Sequence, residues 1–152
     1  MVDPRDAEKK QFFRVLALHK YFLNADFVRD VFMRRMNREQ PPAEADFATS
    51  MDDSIALSLW YATVYVVIEG WRDAGISDSE VDELLSDDRV DELRRFRNQI
   101  FHYQQEYDNP RLLEFLKTGD AGAQESTTWI RHTHAALGRA IERALQDLVA
   151  PK

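Results

Sequence analysis

Residues 93–104 read LRRFRNQIFHYQ and place Arg94, Arg95, Arg97, Asn98 and His102 among Phe96, Ile100, Phe101 and Tyr103. These side-chain types suit work on a phosphate. A guanidinium keeps its charge at every relevant pH, and its planar fork matches phosphate oxygens. An imidazole exchanges a proton near neutrality, and an amide can orient either group. A charged run of this kind also serves as a solvated helix face, the commoner role for such segments.

Placed on a helix at about 100° per residue, Leu93, Phe96, Ile100, Tyr103 and Tyr107 form one apolar seam. Arg94, Asn98, His102 and Gln105 then take the opposite side, and Arg97 and Phe101 fall on one flank. Phe101 lies outside the seam among polar groups, so a second buried surface is expected there. A two-fold contact through this helix would cover Phe101 and bring two copies of the polar set together. On an ideal helix Arg97 and His102 stand about 140° apart with roughly 7.5 Å of rise. A single straight helix therefore does not bring them to one point, and a groove shared by two subunits would.

The rest of the chain must hold this segment. It has 152 residues, 44% of them hydrophobic and 31% charged, which suits one globular domain with a real core. Five glycines and five prolines are too few for frequent turns, so long helices are expected. The net charge of −7 argues against a general nucleic-acid coat, which would be basic, and leaves room for a local positive site. Asp73 to Glu92 holds nine acidic residues and one basic one, and the arginines follow directly. The absence of cysteine removes disulfides, thiolate zinc sites and cysteine nucleophiles. The charged start MVDPRDAEKKQ lacks an apolar core of a signal peptide, and IALSLWYATVYVVI is short for a bilayer span. The expected location is cytoplasmic, with no membrane partner.

Periodicity predicts an all-α, up-and-down bundle of four main helices plus one or two short ones, forming a single domain over 1–152. The first helix runs from about Arg5 to Met36, with Phe12, Leu16, Leu23, Phe27 and Val31 as its core stripe and Phe13 and Phe32 widening it. The second, from near Asp46 to Ala74 with Gly75 closing it, is apolar almost all round between Ile55 and Trp71, as expected of a central helix. SDSE at Ser77 to Glu80 has the capping-box pattern for a short helix to about Leu85. The fourth helix is expected from Arg89 to Tyr107, capped by Asp87 or Asp88. A short fifth follows, with Asn109 and Pro110 at its start and Gly119 past its end. The last covers Glu125 to Val149 on a seam of Ile130, Leu137, Ile141, Ala144 and Leu148.

RNQIFH, Arg97 to His102, resembles the R-x-x-x-x-H signature of the HEPN superfamily, small all-helical domains of prokaryotic defence and toxin–antitoxin systems. Asn98 directly after the arginine is a frequent form of that signature, and the upstream LWYATVYVVIEGW helix is also similar to members of the group. The resemblance covers helices two to six. It implies a homodimer, RNA as substrate or ligand, an antitoxin protein as a further partner, and a metal-independent endoribonuclease without cofactor. In such a reaction the RNA 2′-hydroxyl attacks the adjacent phosphorus, one group takes its proton, another protonates the leaving oxygen, and the phosphorane charge is stabilised. By position in the motif, His102 would be the general acid or base, Arg97 would hold the scissile phosphate, and Asn98 would orient substrate or His102. The wheel adds Arg94 as a contact to backbone phosphate and Phe101 as the dimer contact. Some HEPN toxins carry a tyrosine two residues after the histidine that a partner modifies. Gln104 stands there instead, which speaks against that form of control.

Glu69 ends the apolar run of helix two; it could orient Arg97, or face water as a last-turn glutamate. His132 and His134 in RHTH lie about 200° apart on a helix, so one ion cannot easily take both, and no metal is expected. Arg131, Arg139 and Arg143 could extend a basic groove but suit the surface. Trp60, Trp71 and Trp129 suit the core. Two further functions stand beside the nuclease. One is a non-catalytic HEPN-like dimer that binds nucleotide, RNA or a protein. The other is a plain helical dimerisation module.

Overall fold

A computed structural model describes residues 3–38, 47–106, 114–116 and 120–150. The chain is all-α: α1 Pro4–Met36, α2 Phe47–Ala74, α3 Ser79–Leu84, α4 Arg89–Phe101, α5 seen at 114–116, and α6 Asp120–Val149. Asn109, Pro110, Gly119 and Tyr107 lie outside the described residues.

α2 is the central element, resting on α1, α4 and α6. Trp60, Tyr61, Val64, Tyr65, Val67 and Ile68 are all buried along it, which requires partners on several sides. α1 runs antiparallel to α2. Gln11 near its start donates to the Ala74 carbonyl at 3.0 Å, and Arg35 and Arg38 at its end each bond Asp53 at 2.7 Å. Of the three tryptophans, Trp60, Trp71 and Trp129 are 1%, 3% and 6% exposed, which assigns them to packing. By length and composition alone Thr49–Ala74 contains an 18-residue window apolar enough to cross a membrane, and half of that window is buried inside the bundle.

The helix ends follow local chemistry. Asp3 caps α1, accepting from the Arg5 N–H at 3.0 Å, and Pro4 takes the first position. Gly75 follows α2 at a φ of 65°, the left-handed conformation that closes helices. The expected box at Ser77 is shifted by one residue. Asp78 is the N-cap of α3, accepting from the Glu80 and Val81 N–H groups, and Asp82 reaches back to the Asp78 N–H at 3.2 Å. Ser77 instead donates its hydroxyl to Asp82.

The face of α1 differs from the periodicity reading. Val15, Leu18 and Ala25 are its buried residues, with Phe22, Val28 and Phe32 against the core. Leu16, Leu23 and Phe27, assigned above to the core, are 41%, 51% and 65% exposed. α1 carries two apolar stripes, one inward and one outward, and each holds two phenylalanines. Glycines on the neighbouring helices make room for the inner stripe: a Cβ on Gly70 of α2 would stand 2.9 Å from Leu18, and a Cβ on Gly138 of α6 would stand 2.6 Å from the Phe22 ring.

A buried polar relay joins the three long helices. Trp60 Nε1 donates to His134 Nδ1 at 3.1 Å, and His134 Nε2 lies 3.0 Å from Asp26 Oδ1. An indole N–H can only donate, so Nδ1 must be bare and Nε2 carries the proton. Burial pushes the His134 pKa below its ordinary value of 6.5, against the pull of Asp26. The unfolded chain takes up this proton near pH 6.5 while the native state refuses it. The stability is therefore complete above pH 6.5 and is lost as the pH falls through the depressed native value, at up to about 1.4 kcal/mol per pH unit. Melting temperatures from pH 7.5 to 5 should fall in the native chain and change less in His134→Gln, which keeps an acceptor without the titration. Parallel curves for the two would refute this assignment.

Candidate functional site

α4 is held by its inner side. Val90, Leu93 and Phe96 are buried, and Phe96 packs against Tyr61 and Phe115 with ring centroids 6.2 and 5.8 Å away. Ile100 is partly buried against the same core. The expected seam ends there. α4 stops at Phe101 rather than Tyr107, His102 adopts extended backbone at φ −113° and ψ 132°, and Tyr103, assigned above to the seam, is 93% exposed. No glycine or proline marks this stop. The Gln104 side chain donates to the His102 carbonyl at 3.0 Å, taking the acceptor that a continuing helix would offer to the N–H four residues on.

Arg97 is the fixed member of the set. Its Nη2 donates to Glu69 Oε1 at 2.5 Å, and its side chain is 20% exposed against 47% for Glu69. The guanidinium carbon also lies 5.1 Å from the centre of the Tyr65 ring, within range of a cation–π contact. Its Nε is shielded from solvent and has no acceptor among the described residues. Glu69 thus turns toward Arg97, not simply toward water. Tyr65 was not anticipated. The signal for it was its place four residues before Glu69, on the same face of α2. Burial first, and the Glu69 charge second, raise the Tyr65 pKa, so this hydroxyl stays protonated and acts as a wall rather than a base.

The other residues divide. His102 and Phe101 are exposed, and Asn98 is partly buried. The Asn98 carbonyl accepts from the His102 N–H at 3.1 Å, which ties the last turn of α4 to the histidine backbone. Arg94 is half exposed, with Nε 3.7 Å from Asp91. Arg95 leaves the set altogether. Its fork binds both oxygens of Glu114 at 2.9 and 2.7 Å, which fixes α5 to α4. Because His102 is outside the helix, the ideal-helix angle between it and Arg97 no longer applies.

Elsewhere, a cleft of about 700 Å³ between α3 and α6, lined by Glu80, Glu83, Trp129, His132 and Arg139, shares no residue with this set. His132 is exposed and His134 buried, so the two point apart, as their spacing requires. Arg139 and Arg143 bind Glu80 and Asp78 at 2.8 and 2.7 Å, which ties α3 to α6 rather than extending a basic groove.

The Glu69–Arg97 pair is partly solvated, so its direct worth to folding is small. A double-mutant cycle with Glu69→Gln and Arg97→Gln, read by urea unfolding, should give a coupling of about 1 kcal/mol or less. A much larger coupling would make the pair a core element rather than a positioning contact. Compared with family models, curated proteins and solved structures, the chain matches none.

Proposed function

We propose that the chain is a metal-independent endoribonuclease of the HEPN type, acting as a homodimer, with a toxin or abortive-infection role. One observation carries this reading: the motif arginine is set in place by a carboxylate and an aromatic ring from α2, and the helix ends at the motif histidine. A guanidinium positioned in advance suits charge that develops on a phosphorane. An imidazole on extended backbone can be aimed independently of the helix that carries the arginine.

The reaction follows from these groups. Arg97 holds the scissile phosphate, with Arg94 on a neighbouring one. One His102 imidazole takes the proton of the 2′-hydroxyl as its oxygen attacks phosphorus. The bond to the 5′-oxygen breaks, and the second copy's imidazole, as imidazolium, gives that oxygen a proton. The products are a 2′,3′-cyclic phosphate and a free 5′-hydroxyl. Asn98 orients the substrate, and Phe101 lies in the contact between copies. Glu69 acts through Arg97 as a positioning residue.

The Glu69–Arg97 ion pair also favours a second reading, in which an already neutralised arginine binds nucleotide, RNA or a protein partner without cleaving. Incubation of the pure chain with total RNA in EDTA separates the two. Cleavage by the native chain, lowered at least about 10²-fold in His102→Ala, supports the nuclease. Cleavage indifferent to the mutation is contamination, and no cleavage by the native chain refutes the nuclease reading. Dimers mixed from native and His102→Ala chains should fall well below the native dimer in activity, because the reaction draws one imidazole from each subunit. Phe101→Glu should lower the solution mass and the activity together, since an unpaired charge in an apolar contact costs about 3–5 kcal/mol.

A further inference from the structure

The outward stripe of α1 has no role in the site described above. Phe13, Leu16, Leu23 and Phe27 are 56%, 41%, 51% and 65% exposed. They succeed one another, through Lys20, at the three-and-four spacing of a coiled-coil seam, and the next position in that series is Asp30. Phe13, Leu16, Lys20 and Leu23 line a shallow groove along the helix. The inner residues Val15, Leu18, Phe22 and Ala25 already hold α1 to the bundle, so its own fold does not need the outer set. Monomers seldom leave so continuous a row of large apolar side chains in water.

We propose that this face of α1 packs antiparallel against the same face of a second copy, with Leu23 of each chain against Phe27 of the other. The charges on the stripe select the occupant and the register. Both Lys20 and Asp30 are exposed, and they carry opposite signs. The alignment that opposes Leu23 and Phe27 also opposes Lys20 of one copy and Asp30 of the other, twice, as two-fold symmetry requires. In that alignment Leu16 meets residue 34, where the Arg34 stem can cover it while its head stays in water. The contact extends over about 27 Å of helix, from residue 16 to residue 34. A parallel copy in register would set Lys20 on Lys20 and Asp30 on Asp30, which like charges disfavour.

This surface lies on α1, apart from the Phe101 contact on α4, so the two can be tested independently. Solution mass is measured by sedimentation for the native chain, for Phe101→Glu, and for Leu23→Glu with Phe27→Glu in each background. With both contacts made, two Phe101-joined pairs assemble through α1, so the double change should halve the mass in both backgrounds, while circular dichroism stays close to native because these side chains are outside the core. Lys20→Asp should weaken association at least about tenfold, and adding Asp30→Lys should restore it. An unchanged mass in the Leu23→Glu, Phe27→Glu chain would overturn the proposal and assign the stripe to a different occupant. A charge reversal that the second swap fails to rescue would overturn the antiparallel pairing. The Phe101→Glu result alone decides the α4 contact and leaves this one untouched.

Discussion

The placement of Arg97 depends on its neighbour. Phe96 is fully buried and meets Tyr61 from α2 and Phe115 from α5, which themselves meet edge-on at 5.5 Å. Trp129 of α6 joins the same group through Phe115. Four elements thus converge on one aromatic cluster, and such rings contribute through burial and through their edge-to-face geometry. Because Phe96 can sit in only one way among them, the next residue leaves the core at a fixed angle. It emerges beside Tyr65 and Glu69 on the adjoining helix. The polar arrangement is a consequence of apolar packing one residue away.

The division between legible and illegible features follows the same physics. The all-α class, the central role of α2, the buried tryptophans, Gly75 as a helix stop and the inner half of α4 were readable, because each rests on a strong local pattern. The outer half of α4 was not. Nothing in HYQQEY breaks a helix by propensity, and the stop at Phe101 depends on where the core ends and on a side-chain bond from Gln104. The capping residue of α3 slipped by one for a related reason: Ser77 and Asp78 are adjacent cap-forming residues, and it is Asp78 that accepts from the Glu80 and Val81 N–H groups while Ser77 turns to Asp82.

α1 shows a limit of a different kind. Helical periodicity finds apolar stripes but does not say which one meets the bundle. With two stripes on opposite sides, periodicity drew the assignment to the outward one, whereas close approach to Gly70 and Gly138 selected the face of Val15, Leu18 and Phe22. Within the site, Glu69 was readable as a candidate, but its contact with Arg97 is a tertiary fact. So are the Tyr65 ring beneath the guanidinium and the withdrawal of Arg95 toward Glu114. Sequence spacing locates such residues along the chain; only the crossing of α2 and α4 decides which of them meet.

The hairpin of α1 and α2 is anchored unevenly. The fully buried residues of α1 end at Ala25, and Ala56 is the first described in the buried core of α2. Past Phe32, whose ring lies 5.8 Å from that of Trp60, the two helices are joined by the Arg35 and Arg38 bonds to Asp53, beside the exposed Met36, Phe47 and Met51. Ion pairs of this kind weaken with salt, and regions with few buried contacts open at lower free energy than the core. Backbone amides near that tip will trade their protons for deuterium first, and sooner in concentrated electrolyte, while the Gln11–Ala74 end stays closed.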